Sequence, residues 1–350
     1  MAGEPAYPVT GPLRFGVLQF FSWPGRRIPL PAVYERALNR IDIMERSGGY
    51  DAVWLAEHHF TTQSVSPSVS VMGAYVAART ERLRVGTAVS LASMYHPLRL
   101  AEEIAMLDVL SGGRVNWGAG RGNDPGEFRV FGLNLESSYA MFRENVEIVL
   151  RAWQDEKLSY QGRFHSFDGV EVLPKPVQRP HPPVWMAASS LEAIDWAASS
   201  GYSILMDPHS SHRDIGTKYS HYLDGLCGAD HPVVGRTIPM ARFIAVAPTD
   251  SQAREIAMEG ARWTVASMRG GERRSVSNKI HLASREEKNR DRRSPEERYV
   301  QDTIIHGSPS RVAERIQELR ETIGLHYLLC APLSHGSFLS FTEEVIPKLV

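Results

Sequence analysis

Cysteine is nearly absent from these 350 residues: Cys227 and Cys330 are the only two. They are too few and too far apart in sequence for a disulfide framework or a zinc site. Net charge is nearly absent too, at -1, so no global field draws the chain to nucleic acid or an anionic membrane. No apolar run approaches the ~20 residues that span a bilayer, and the opening MAGEPAYPVTGP lacks the apolar core of a signal peptide. A cytoplasmic protein with no membrane and no nucleic-acid partner is expected. What is present is a hydrophobic content of 43% beside 23% charged residues, enough for a substantial core.

Short apolar runs alternate with amphipathic stretches. RFGVLQF from Arg14, DAVWLAEHH, LRVGTAVSLA and RVNWGAG read as strands, as do PVWMAAS, YSILM, TIPMARFIAVAP and LHYLLCAPL. Helical patterns lie between them, such as PAVYERALNRIDIMERSGG, which ends on glycines, and SPSRVAERIQELRETIG, with Ser308 or Ser310 as cap and Gly324 after its end. About eight strands in strict βα alternation imply an α/β fold with parallel strands. The expectation is a (β/α)8 TIM barrel with insertions, one domain over 1–350, in preference to a doubly wound open sheet. Two stretches depart from the alternation. Residues 157–183 are Gly- and Pro-rich and read as an inserted hairpin and loop. Residues 269–298 are polar throughout and cationic on balance, and read as a mobile lid ahead of a nucleic-acid arm, since stacking aromatics are lacking.

Four motifs are candidates for chemistry. Glu57-His58-His59 closes the second strand, where a parallel barrel carries its active site. A polar strand end meeting solvent is the plain alternative. Adjacent residues on an extended chain point to opposite faces, and no second HxH or HExxH exists, so acid–base work by one imidazole is preferred to a metal. Gly118-Ala119-Gly120-Arg121-Gly122-Asn123 follows the fourth strand. A dinucleotide fingerprint would need a third glycine at Asn123 and a helix opening directly, and Asp124-Pro125-Gly126 does not read as one. A phosphate contact through Arg121 and a tight turn with a surface arginine are equally open. Ala188-Ser189-Ser190 reads as an anion site or as a routine N-cap. His96-Pro97 reads as capping or packing, and tryptophans 54, 117, 153, 185 and 196 as core.

Taken together, AEHHF (Ala56–Phe60), RVGTAVSLASMYHPLRLAEEIAMLDVLSGGRVNWGAGRG (Arg84–Gly122), EFRVFG (Glu127–Gly132), PVWMAASS (Pro183–Ser190) and GSPSRVAERI (Gly307–Ile316) resemble the bacterial luciferase-like flavin-dependent monooxygenases. The resemblance covers nearly the whole chain. It implies FMN in the barrel mouth, with Arg121, Gly122 and Asn123 on one side of its phosphate and Ser189 and Ser190 on the other. It implies a non-proline cis peptide at Ala88–Val89 against the flavin ring, Glu57 near the flavin, and His58 as the catalytic histidine. Where some members carry a glutamate before the phosphate-binding serine, this chain has Ser189. The implied activity uses reduced FMN from a separate flavin reductase and O2, through a C4a-peroxyflavin, to oxidise a small organic substrate, preferably one with a carbonyl group. A homodimer through early helices, around Val69–Ala78, is implied as well. An F420-dependent oxidoreductase on the same barrel and a non-catalytic flavin-binding protein are the alternatives.

Overall fold

The computed structural model describes residues 11–269 and 292–350. The chain forms two compact units. One comprises residues 18–46 and 52–187, here the N-half unit; the other comprises residues up to 17, 47–51 and 188–350, the C-half unit. β1 (Arg14–Gln19) opens the described chain.

In the N-half unit, α1 (Leu30–Ser47) buries Val33, Ala37, Ile41 and Met44, a spacing of four, four and three that sets an apolar stripe along one helix face. β2 (Ala52–Leu55) follows, then α2 (Val69–Ala77), capped by Ser68, whose side chain accepts the Val71 N–H. β3 (Arg84–Thr87), the two-residue β4 (Ser90–Leu91) and α3 (Pro97–Leu110) come next, the last with proline where its missing N–H costs nothing. β5 (Val115–Gly120), α4 (Pro125–Val130) and α5 (Ser138–Gln154) lead to an antiparallel hairpin, β6 (Leu158–Gln161) with β7 (Ser166–Val170), and then to β8 (Val184–Ala187). The order β2-β3-β5-β8 is parallel throughout, and β4 joins β5. Trp54, Trp117, Trp153 and Trp185 are buried here, in two edge-to-face pairs.

The C-half unit carries α6 (Leu191–Ser199), β9 (Ser203–Leu205), α7 (His212–Gly228), β10 (Pro239–Val246) and α8 (Asp250–Arg269), then α9 (Pro295–Thr303), β11 (Ile305–Gly307), α10 (Pro309–Ile323), β12 (Tyr327–Pro332) and α11 (His335–Ser340). Its parallel order is β11-β10-β12-β1, and Met206, just past β9, bridges to Met240 in β10. Asp51 clamps two of these strands, accepting from Arg14 at 2.6 Å and from Tyr327 Oη at 2.8 Å.

The expected hairpin within 157–183 is present. Of the expected lid, residues 270–291 lie outside the described residues, and its last part is α9, opened by a reciprocal Ser294–Glu297 capping box. Ser308 is the cap position of α10, and Gly324 ends that helix in the left-handed conformation. Two readings need correction. Asp124-Pro125-Gly126 does open a helix: Asp124 caps α4 through the Gly126 N–H, and Pro125 occupies the first turn. The final FTEEVIPKLV, which in sequence reads as a terminal helix, is not one α-helix, because a π turn over Phe341–Val345 and a 3-10 turn at Ile346–Lys348 follow α11, with Pro347 preventing a regular continuation.

Candidate active site

Glu57, His58 and His59 lie just beyond β2, so the strand is shorter than its apolar pattern suggested. Glu57 is 2% exposed, and its Oε1 is 3.1 Å from His59 Nε2 and accepts from Tyr95 Oη at 3.0 Å. The backbone N–H of Leu91 lies toward this carboxylate. Burial pushes the Glu57 carboxyl above its ordinary range, against the pull of His59, Tyr95 and Leu91. Its other oxygen, Oε2, is buried without a hydrogen-bond partner among the described residues. The segment that supplies Leu91 and Tyr95 begins at Ala88, whose N–H donates to Leu55 O at 2.8 Å. The Ala88–Val89 peptide is cis, the geometry the resemblance implied.

His58 projects beside this carboxylate. Its ring stacks on Phe20 at 6.2 Å and 18°, and its Nδ1 is 3.8 Å from Glu127 Oε1. The same Glu127 oxygen accepts the His59 N–H at 2.9 Å. One buried carboxylate on α4 thus addresses both histidines. Glu127 was missed as a site residue because it lies 68 residues from His59 and only the fold brings it there; the signals available were its place at the head of the EFRVFG stretch and, once α4 is known, an acidic residue in the first turn of a proline-started helix. Tyr95 was missed for the same reason.

The glycine-rich segment divides into two kinds of glycine. Gly118 and Gly120 belong to β5, where they permit close approach: a Cβ at Gly118 would sit 2.0 Å from the Thr87 carbonyl oxygen. Gly122 alone turns the chain, at φ +83°. Arg121 is not an idle surface group. Its Nη1 donates to Ser138 Oγ at 2.9 Å, its guanidinium lies 4.1 Å over the Tyr139 ring, and its carbonyl accepts from Ser93 Oγ. Asn123 follows in the same loop. In the C-half unit, Ser190 caps α6, accepting the Ala193 N–H at 3.3 Å, and Ser189 precedes it. His96 makes no cap bond; its ring packs on His165 and Phe167. Trp196 is half-buried, unlike the other four tryptophans of that reading. Among the described residues no group of three or more metal-ligating side chains converges, and no helix is long and apolar enough to cross a membrane.

Parallel strands followed by helices, with titratable groups just past a strand end, are the arrangement of the (β/α)8 class. The family model of luciferase-like monooxygenases matches residues 13–326, and the chain belongs to that family. It is 28% identical over 230 residues to the oxygenase component of the flavin-dependent trigonelline monooxygenase of Acinetobacter baylyi, covering 65% of this chain and 63% of that protein. The chain spans about half the length of two other relatives that it matches, 55% and 47%. Among solved structures, monooxygenase RslO1 from Streptomyces bottropensis superposes with a TM-score of 0.78 at 26% identity, over 97% of this chain and 100% of that one. An F420-dependent secondary alcohol dehydrogenase shares the fold at a TM-score of 0.74 and 17% identity, over 97% and 98% of the two chains.

Proposed function

We propose that this protein is the oxygenase of a two-component flavin monooxygenase: it takes reduced FMN from a separate flavin reductase and uses O2 to oxidise a small, carbonyl-containing organic substrate. The observation that carries this reading is the Glu57 carboxyl, buried and bonded on one oxygen by His59 and Tyr95 while the other has no partner. A buried polar atom without a partner costs about 1–3 kcal/mol, and a ring N–H of a flavin is the kind of group that satisfies it. The residues therefore fit the cofactor.

In this reading Glu57, Ala88 and Val89 face the flavin ring, while Arg121, Gly122 and Asn123 serve its phosphate. The Arg121 guanidinium offers fixed, always-charged donors. Reduced FMN, when bound, supplies the electrons and activates oxygen. The chain supplies placement and proton handling. His58 is held on one face by Phe20, with Glu127 toward Nδ1, so Nε2 is the atom that takes or returns a proton at the substrate carbonyl. The buried surroundings of Glu57 keep water from the reacting centre.

The chain is read as a single barrel domain of the cytoplasm. A second copy would cover the α2–α3 face, where Val71, Tyr75, Met106 and Leu110 are exposed together; Leu110→Glu should convert the dimer to a monomer in sedimentation.

The test compares reduced FMN with reduced F420, with and without oxygen, across a panel of carbonyl substrates. Product only with reduced FMN and oxygen is expected. Product under nitrogen with reduced F420 would establish hydride transfer instead. FMN binding without substrate-dependent oxygen uptake would leave a flavin-binding protein.

A further inference from the structure

The C-half unit holds a second buried polar cluster, which the proposed oxygenase chemistry does not use. Past β9, Asp207 turns the chain toward α7. Its Oδ1 accepts the N–H groups of His209 and Ser210 at 2.9 and 2.7 Å, and its Oδ2 accepts Ser210 Oγ at 2.9 Å. Lys218, 1% exposed, lies 3.5 Å from that Oδ2 and donates to Ser210 Oγ at 2.7 Å. Burial alone would raise the Asp207 carboxyl; Lys218, His209 and Arg242 outweigh it and hold it ionised, below its ordinary range.

Arg242, in the middle of β10, is 1% exposed. Its Nη1 donates to the carbonyls of Asp207 and Ser210 at 3.3 and 3.1 Å, which anchors one corner of the guanidinium. Its Nε and Nη2 have no partner among the described residues. Asp207 is the obvious counter-ion, yet both of its oxygens are already engaged elsewhere. His212, the first residue of α7, adds two more buried ring nitrogens without a partner, and burial together with Arg242 and Arg315 keeps this imidazole neutral.

The two unpaired Arg242 donors are not an arbitrary pair. Nε–H and one Nη–H on the same side of the guanidinium are parallel and coplanar, the fork that meets both oxygens of a carboxylate. A single water offers one acceptor atom to two donors and no charge. We propose that the Nε–Nη2 edge of Arg242 is a binding site for the carboxylate of a small organic molecule. The site stands on C-half residues alone and does not depend on which cofactor the protein uses. Burial lowers the guanidinium to about 10, so it remains cationic at neutral pH.

The test uses the full chain in calorimetric titrations with acetate and benzoate, their neutral isosteres acetamide and benzamide, and inorganic phosphate. The carboxylates should bind at least about tenfold more tightly than the amides, which corresponds to roughly 1.4 kcal/mol. In arginine-labelled protein, one slowly exchanging Nε–H resonance should shift on adding benzoate, and Arg242→Lys should abolish both effects. Equal binding of acid and amide, an unmoved Nε–H resonance, or saturation by phosphate without any carboxylate response would overturn the proposal. The wild-type comparisons decide the matter even where the Arg242→Lys protein fails to fold.

Discussion

The two units each bury a polar cluster just past the end of parallel strands, but with opposite surpluses. In the N-half unit the ionisable framework is carboxylate against imidazole, and the atom left over is an acidic oxygen, Glu57 Oε2. In the C-half unit the framework is cation against carboxylate, and the charged atoms left over are donors, Nε and Nη2 of Arg242, beside the neutral ring of His212. A buried network made only for stability closes on itself, since every open valence costs free energy. Networks that stay open at a chosen edge, one toward donors and one toward oxyanions, are shaped for something other than stability. The sign of the open edge then says what class of group would close it.

The comparison breaks most sharply at His58. His58→Ala should retain FMN binding, measured by flavin fluorescence, yet lose about 10²- to 10⁴-fold in product formation; unchanged turnover would remove His58 from the mechanism. Next in size, Gly118→Ala forces a methyl against the Thr87 carbonyl at 2.0 Å and should cost about 3 kcal/mol in denaturant unfolding. Arg121→Ala should weaken FMN binding about 10- to 100-fold, the worth of a charge-assisted contact, with substrate-independent stability nearly unchanged.

The smallest effect is the most discriminating. Glu57 has a raised folded-state pKa, so its protonated form is the one the fold favours. Its contribution is fully present below the ordinary carboxylate value and is lost as pH rises through the raised value. Glu57→Gln does not titrate, so the melting-temperature difference between Glu57→Gln and wild type should grow in the variant's favour from pH 4 to pH 8, while FMN binding falls. A difference that stays flat with pH would mean that the carboxyl is not strained by its burial.

Much of this was legible in the sequence because it is local. Apolar runs of strand length alternating with 3.6-period stretches predicted parallel strands and helices. The position of Glu57-His58-His59 after a strand and of Arg121 after another followed from short-range pattern, whereas the cis peptide at Ala88–Val89 came only from the family resemblance and interrupts what the pattern reads as one strand. What escaped required tertiary structure. Glu127 meets His59 from 68 residues away, and Tyr95 meets Glu57 from 38. Arg242 sits within MARFIAV, a run that reads as an ordinary strand, and nothing in its spacing shows that one guanidinium edge is anchored while the other is open. The helix α4 was hidden for the opposite reason: Pro125 and Gly126 read as breakers, whereas a proline in the first turn behind an aspartate cap is a helix start.

The tryptophans are divided unevenly between the units. Five of the seven, Trp23 and the buried Trp54, Trp117, Trp153 and Trp185, lie in the N-half unit, whereas Trp196 and Trp263, both half-buried, belong to the C-half unit. Intrinsic emission is therefore weighted toward one half of the molecule. A denaturation followed by fluorescence reports chiefly on the half that carries Glu57 and His58, and its divergence from a far-ultraviolet circular dichroism trace would reveal whether the two halves come apart in one step or in two.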